Sequence, residues 1–258
     1  MSDPRVKLSF DGFVATITLA RAEKLNALDM PMILALQQAA CDIDANPEIR
    51  CAILTAEGKA FCAGGDIAAW GDLPPLEMWR NWNRAGHRAF DDLARLRVPL
   101  VAVLSGHAFG GGLELAATAD FLIAERPVQL GLPETGLGMV PGWSGSQRLV
   151  RRFGSRVVKR MALAGEMLGA EQALAAGIVD EMVETGAGLL AAAAIAQKIC
   201  ARGPVAVQVA KQLINAAEGE ETASAMEALA GSLTAFTADL AEGVTAFKSK
   251  RKPVFTNK

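Results

Sequence analysis

Two segments constrain the fold more than any others, because each places an apolar run of strand length ahead of glycines and then a helix. The first is Pro99-Leu-Val-Ala-Val-Leu104, followed by Ser105-Gly106, the triplet Gly110-Gly111-Gly112, and the helical stretch Leu113-Glu-Leu-Ala-Ala117. The second is Cys51-Ala-Ile-Leu-Thr55, followed by Phe61-Cys-Ala-Gly-Gly-Asp-Ile67. A strand that turns through glycine into a helix leaves the first helical N–H groups without intrahelical partners, at the positive end of the helix dipole. Glycine keeps side chains from blocking the approach to them. Gly65 and Gly111 are therefore candidate donors to one developing oxyanion, each worth about 3 kcal/mol in acyl chemistry when preorganised.

Glu114 lies three residues beyond Gly111, at the same helix mouth, where a carboxylate is electrostatically favoured and can face whatever the N–H groups bind. Alone it reads as an ordinary first-turn surface glutamate, since a glycine-rich loop is a weak motif. Glu134 supplies a second carboxylate twenty residues on. Paired carboxylates suit proton transfer, because like charge and partial burial raise at least one pKa and let a carboxyl donate as well as accept. Such a pair titrates as a coupled unit.

Composition sets the frame for this chemistry. A chain of 258 residues at 51% hydrophobic can bury a substantial core, which excludes a disordered chain. The net charge of -2 gives no global attraction to nucleic acid or to an anionic membrane, so a phosphate-bearing ligand needs local basic residues. Cys41, Cys51, Cys62 and Cys200 show no CxxC spacing and the histidines are only His87 and His107, so no metal site and no metal cofactor is expected. Reduced thiols are the default, and both histidines read as structural. With no basic-then-apolar leader and no membrane-length apolar run, the expectation is a soluble, cytoplasmic protein.

Along the chain, Phe13, Ala15, Ile17 and Leu19 alternate with Val14, Thr16 and Thr18 as a strand. Asp29 then caps a helix with Ile33, Leu36, Ala40 and Ile43 on one face, stopping near Asn46-Pro47. Further strands are expected over 51–55, 100–104, 121–124 and 129–132, and strand alternates with helix to about residue 183. Beyond Gly186 the pattern is helical and alanine-rich over 189–201, 204–217 and 222–240.

Taken in order and spacing, six segments make the chain resemble the crotonase, or enoyl-CoA hydratase/isomerase, superfamily from about Val14 to Phe255. They are Glu23-Lys-Leu-Asn-Ala-Leu28, Ala60-Phe-Cys-Ala-Gly-Gly-Asp-Ile67, Gly106-His-Ala-Phe-Gly-Gly-Gly-Leu-Glu-Leu115, Leu132-Pro-Glu134, Gly138-Met-Val-Pro-Gly142 and Gly243-Val-Thr-Ala-Phe247. The resemblance implies an α/β fold: a spiral of beta-beta-alpha turns over 1–200 carrying the CoA and catalytic sites, and a C-terminal helical trimerisation region over 201–258. It also implies a homotrimer, often paired into a hexamer, acting on an acyl-CoA thioester without a separate cofactor. In the family the N–H groups matching Gly65 and Gly111 hold the thioester oxygen, and carboxylates matching Glu114 and Glu134 hold and activate water. Glu134 is then expected to transfer the proton at C2 and Glu114 to deprotonate the water that adds at C3, with the Gly142 N–H helping to fix that water. For CoA, the family positions match Lys24 and the backbone at Ala63, Gly65, Asp66 and Ile67, with Phe247 and Lys250 reaching in from a neighbouring subunit.

The chain departs from the family pattern at Trp143, Ser144 and Ser146, where smaller residues are usual. Trp143 either narrows the acyl pocket or points into the core or a subunit contact. The stretch 68–91, with Trp70, Pro74-Pro75, Trp79 and Trp82, either lines an acyl or aryl pocket or forms the apolar face of a helix. Both glutamates together favour hydration of a trans-2-enoyl-CoA, with a double-bond isomerase as the nearest alternative. The basic run Arg148, Arg151, Arg152, Arg156, Lys159 and Arg160 makes an RNA-binding protein on the same scaffold a rival, though no RNA motif accompanies it and a solvated or intersubunit face explains it better. A serine peptidase is disfavoured, since Gly142-Trp-Ser-Gly-Ser146 lacks the final glycine of a nucleophile elbow.

Overall fold

The computed structural model describes residues 3–258, apart from the side chains at 224 and 225. It divides into two compact units, one extending to Lys211 and the other Gln212–Lys258. At the end of the first unit the Lys211 ammonium is drawn in, pairing with Asp120 at 2.8 Å and donating to the Val98 carbonyl at 2.9 Å.

Among the described residues the strands are β1 (Val6–Asp11), β2 (Val14–Leu19), β3 (Cys51–Ala56), β4 (Ala60–Cys62), β5 (Leu100–Leu104), β6 (His107–Phe109), β7 (Phe121–Glu125), β8 (Gln129–Gly131), β9 (Leu168–Gly169) and β10 (Glu181–Val183). The larger sheet runs β1-β2-β3-β5-β7-β10 and the smaller β4-β6-β8-β9. Only β1 with β2, and β8 with β9, pair antiparallel. The successive pairs β3 and β4, β5 and β6, β7 and β8 each send one strand to each sheet, which is the repeated turn of the spiral.

Strands β3, β5 and β7 are buried on both faces, as parallel strands covered by helices must be. Their period of two divides the core. Ala52, Leu54, Leu100, Ala102, Leu104, Leu122 and Ala124 enter the main cluster, while Cys51, Ile53, Val101, Val103 and Ile123 meet Ala192 and Ala196 on the other side.

Helix α1 (Met30–Ala45) is capped as expected, with Asp29 Oδ1 accepting from the Met32 N–H at 3.1 Å and Ile33, Leu36, Ala40 and Ile43 buried. After β4 come α2 (Ile67–Trp70), α3 (Pro75–Glu77), a π-helical segment Met78–Asn83, and α4 (Arg84–Ala94), which packs on α1. Trp82 is buried within that segment while Trp79 is exposed, so the i, i+3 pair does not form one apolar face. Helix α5 (Gly111–Ala116) follows β6, and Gly110 takes a φ of +53° at its entrance. A Cβ on Gly112 would stand 2.0 Å from the Cys62 carbonyl oxygen, so glycine is what lets α5 abut the end of β4.

Then come α6 (Arg148–Phe153), α7 (Ser155–Ala164), α8 (Ala170–Ala175), α9 (Gly188–Cys200) and α10 (Pro204–Ala217). The helix expected over 222–240 is two helices, α11 (Thr222–Ala235) and α12 (Ala238–Lys248), because Thr237 leaves the helical conformation and its hydroxyl caps the second by accepting from the Leu240 N–H at 3.1 Å. Strand β1 escaped the sequence reading because only Val6 in it is buried, which removes the alternation that betrays a strand. The basic run is not one solvated face: Arg148 is buried and pairs with Asp91 at 2.7 Å, and Arg152 donates to the Ala117 and Ala119 carbonyls. No single helix among the described residues is long and apolar enough to cross a membrane.

Candidate active site

The strand-to-helix turns bring the two glycine segments together. A Cβ on Gly111 would stand 3.4 Å from the Gly65 nitrogen, and a Cβ on Gly64 would stand 3.3 Å from the Gly111 nitrogen. The Gly111 N–H opens α5 and has no intrahelical acceptor, and neither it nor the Gly65 N–H donates to another group among the described residues. Both glycines line a cavity of about 120 Å³, together with Glu114, Glu134 and Gly142.

The two carboxylates are held very differently. Glu114, on the first turn of α5, is 2% exposed, and its Oε1 accepts from the Trp143 N–H at 2.8 Å and the Gly145 N–H at 2.6 Å. Burial is the main force on its pKa, pushing it up to about 7; the Trp143 and Gly145 N–H groups and that of Gly142 oppose the rise, while nearby Glu134 adds to it. Glu134 opens a short 3₁₀ turn, Glu134–Leu137, and both its oxygens are buried without a hydrogen-bond partner among the described residues. Burial raises its pKa as well. An unpartnered buried carboxyl is costly unless protonated or met by a ligand, so Glu134 is poised to exchange a proton with whatever enters.

Aromatic side chains form part of the wall, beside Met78, Leu137, Met139 and Val140. Trp143 is 2% exposed, with its ring centroid 5.2 Å from that of Trp82 and 5.3 Å from that of Phe90. It belongs to the core and to the cavity at once, which joins the two alternatives open in the sequence. Trp70, whose indole N–H donates to the Gly65 carbonyl at 3.2 Å, and Trp82 stand beside Gly65.

Other expected contact residues are spread more widely. Ala63 and Ile67 line the same cavity. Asp66 is occupied structurally: its N–H donates to the Leu28 carbonyl, and its carboxylate caps α2 and pairs with Arg21 at 2.8 Å. Lys24 is exposed on the 3₁₀ turn Ala22–Lys24, while Phe247 and Lys250 are exposed in the second unit. His107 is structural, its Nδ1 accepting from the Gln129 N–H at 3.0 Å. The sequence marks Ser144 only as a departure from the family pattern; its meeting with His87, and that of Gly86 with Trp143, spans 57 residues with no local pattern to signal it.

Residues 9–258 match the model of the family described as enoyl-CoA hydratase/isomerase. The chain belongs to that family. It is 36% identical over 250 residues to the short-chain-enoyl-CoA hydratase of Clostridium acetobutylicum, covering 96% of this chain and 95% of the relative. It is 34% identical to the crotonyl-CoA hydratase of Syntrophomonas wolfei, covering 95% of each. Among solved structures, the enoyl-CoA hydratase from Bacillus anthracis superposes with a TM-score of 0.80 at 32% identity, over 98% of this chain and 100% of that one. Pseudomonas aeruginosa DspI superposes with a TM-score of 0.83 at 32% identity, over 99% and 98%. The crotonase-type α/β fold expected from the sequence is therefore the fold of this enoyl-CoA hydratase/isomerase family member.

Proposed function

We propose that this chain is an enoyl-CoA hydratase that adds water reversibly to a short trans-2-enoyl-CoA, giving a 3-hydroxyacyl-CoA. The observation that carries the reading is the convergence of two buried carboxylates, Glu114 and Glu134, on one cavity that also holds the unengaged Gly65 and Gly111 N–H groups. The thioester oxygen sits at those two donors. Glu114 takes a proton from water as the oxygen of that water bonds to C3, and the electron pair of the double bond moves onto the thioester oxygen. Collapse of the enolate takes a proton at C2 from Glu134, and passage of the Glu114 proton to Glu134 restores the starting state. Stabilising charge at the oxygen, where it develops, lowers the barrier more than ground-state binding does. The reaction needs no metal or redox cofactor, since CoA arrives as part of the substrate.

The relatives named for short-chain enoyl-CoA and crotonyl-CoA support a short acyl group, and the cavity of about 120 Å³ has room for its reacting carbons. Lys24, with Phe247 and Lys250 from a neighbouring subunit, completes the CoA site in a homotrimer or a pair of trimers. The many exposed apolar side chains of the second unit, among them Leu233, Phe236 and Phe247, favour such an assembly.

The test is to mix purified protein with short, medium and aromatic enoyl-CoAs and follow loss of the conjugated thioester absorbance. Turnover of the crotonyl substrate is expected, and silence across the panel rejects the hydratase reading. Glu114→Gln and Glu134→Gln should each lower kcat by about 10²- to 10⁴-fold. If Glu114→Gln left the main turnover intact while Glu134→Gln abolished it, a double-bond isomerase would take its place.

A further inference from the structure

The loop from Gly142 to Ser146 holds a hydrogen-bonded pair that the proposed chemistry leaves unused. Ser144 is buried with a φ of +83°, in the left-handed region that a residue with a side chain rarely adopts. Its two neighbours in sequence, Trp143 and Gly145, are the residues whose N–H groups meet on Glu114 Oε1. The left-handed turn at Ser144 is what lets donors on either side of one residue converge on one oxygen, as in an anion-binding nest.

The Ser144 side chain is tied to another element. Its Oγ lies 3.1 Å from Nδ1 of His87 on α4, and Gln147 Nε2 donates to that Oγ at 3.2 Å. Ser144 Oγ has lone pairs for both neighbours and one proton to give, so the contact with His87 Nδ1 is a hydrogen bond in either neutral tautomer of the ring. Burial lowers the His87 pKa and so keeps the ring neutral; Asp91 on α4 opposes this, and Arg148 on α6 assists it. Neither Ser144 nor His87 lines the cavity, and Asp91 is engaged by Arg148 at 2.7 Å and Arg95 at 3.5 Å. The geometry therefore offers no route for Ser144 to attack a substrate, and a peptidase-like role has no support.

We propose that Ser144 and His87 form a positioning pair whose hydrogen bond locks the left-handed turn and so aims the Trp143 and Gly145 N–H groups at Glu114. The inference rests on the hydratase reading only for its kinetic consequences; the effect on Glu114 itself is readable without turnover. Hydrogen bonds to a carboxylate favour its ionised form, so loosening the turn raises the pH at which Glu114 ionises. Glu134 is the other charged group facing Glu114 and is left in place by the test.

The experiment compares wild type with Ser144→Gly, which removes the hydroxyl at a φ that glycine adopts without strain but does not lock, His87→Ala, which removes the ring, and His87→Asn, whose side chain can hydrogen-bond near the position of Nδ1. Infrared titration of the Glu114 carboxyl, assigned with Glu114→Gln, should shift upward by about one pH unit in Ser144→Gly and His87→Ala. His87→Asn should return it toward wild type. With crotonyl-CoA, kcat should fall about ten- to hundredfold with KM little changed, and the acid limb of the pH profile should move with the infrared midpoint. An unshifted Glu114 titration in both Ser144→Gly and His87→Ala overturns the proposal, whether or not the wild type turns over. If His87→Ala fails to fold, Ser144→Gly and His87→Asn carry the comparison. Failure of wild-type turnover alone overturns the hydratase reading and leaves the infrared comparison standing.

Discussion

A carboxyl works as a base only when its proton affinity suits the working pH, and Glu114 shows how burial and three facing N–H groups settle that affinity between them. Its pKa near 7 leads to a first prediction: kcat/KM should rise as pH increases through about 7, because the base must be ionised to take a proton from water. A flat profile between pH 6 and 8 would assign the base elsewhere. The candidate residues themselves were legible in the sequence, since strand-Gly-helix punctuation marks donors, and the resemblance to the crotonase pattern marks Glu114 and Glu134. Their environments were not legible. Nothing near Glu114 in sequence says that Trp143 and Gly145 will bind it, because those bonds span 29 and 31 residues. Ser144 with His87, 57 residues apart, was still further from any local signal.

Elements meet closely only where side chains are absent, and α4 shows this against Trp143. A Cβ on Gly86 would stand 2.1 Å from Trp143 Nε1, so glycine in the first turn of α4 makes room for the indole. Gly86→Ala should destabilise the protein by about 1–3 kcal/mol through overpacking, measured by chemical denaturation. Adding Trp143→Leu should recover most of that loss; a double variant no more stable than Gly86→Ala would place the clash elsewhere. Trp143→Ala alone should widen the cavity and raise kcat/KM for longer enoyl-CoAs relative to crotonyl-CoA. An unchanged chain-length preference would show that Trp143 does not end the acyl pocket. At this scale the sequence marked the long elements well, because α1 and β3, β5 and β7 carry strong periodicity or unbroken apolar runs. It missed β1, which buries little, and it fused α11 with α12 because alanine-rich helices do not announce a break.

Stability of the whole molecule should carry the signature of its buried acid. The folded-state pKa of Glu114 is raised above the ordinary 4.5, so the folded chain binds a proton more tightly than the unfolded one. Its contribution is therefore fully present below pH 4.5 and is lost as pH rises to about 7, amounting to roughly 3 kcal/mol. Glu114→Gln lacks this titration. The stability difference between wild type and Glu114→Gln should shift by that amount across the window, and a difference constant with pH would mean that Glu114 is not buried as an acid. The second unit differs: its helices leave Phe236 and Phe247 nearly fully exposed, apolar surface that the proposed assembly would cover.

By itself, the sequence determined the alternation of strand and helix, the two glycine turns with their free N–H groups, and the identity of the two glutamates. The first two follow from local rules: periodicity, the steric freedom of glycine and the orphan donors of a helix start; the glutamates follow from the resemblance to the crotonase pattern. Only the tertiary structure decided that Glu114 is held by backbone donors from a distant loop while Glu134 is left without a partner. It alone set Trp143 against Gly86 as a wall of the cavity, and it alone joined Ser144 to His87. Those decisions depend on contacts between residues far apart in the chain, where burial and low polarity amplify each hydrogen bond and each missing one.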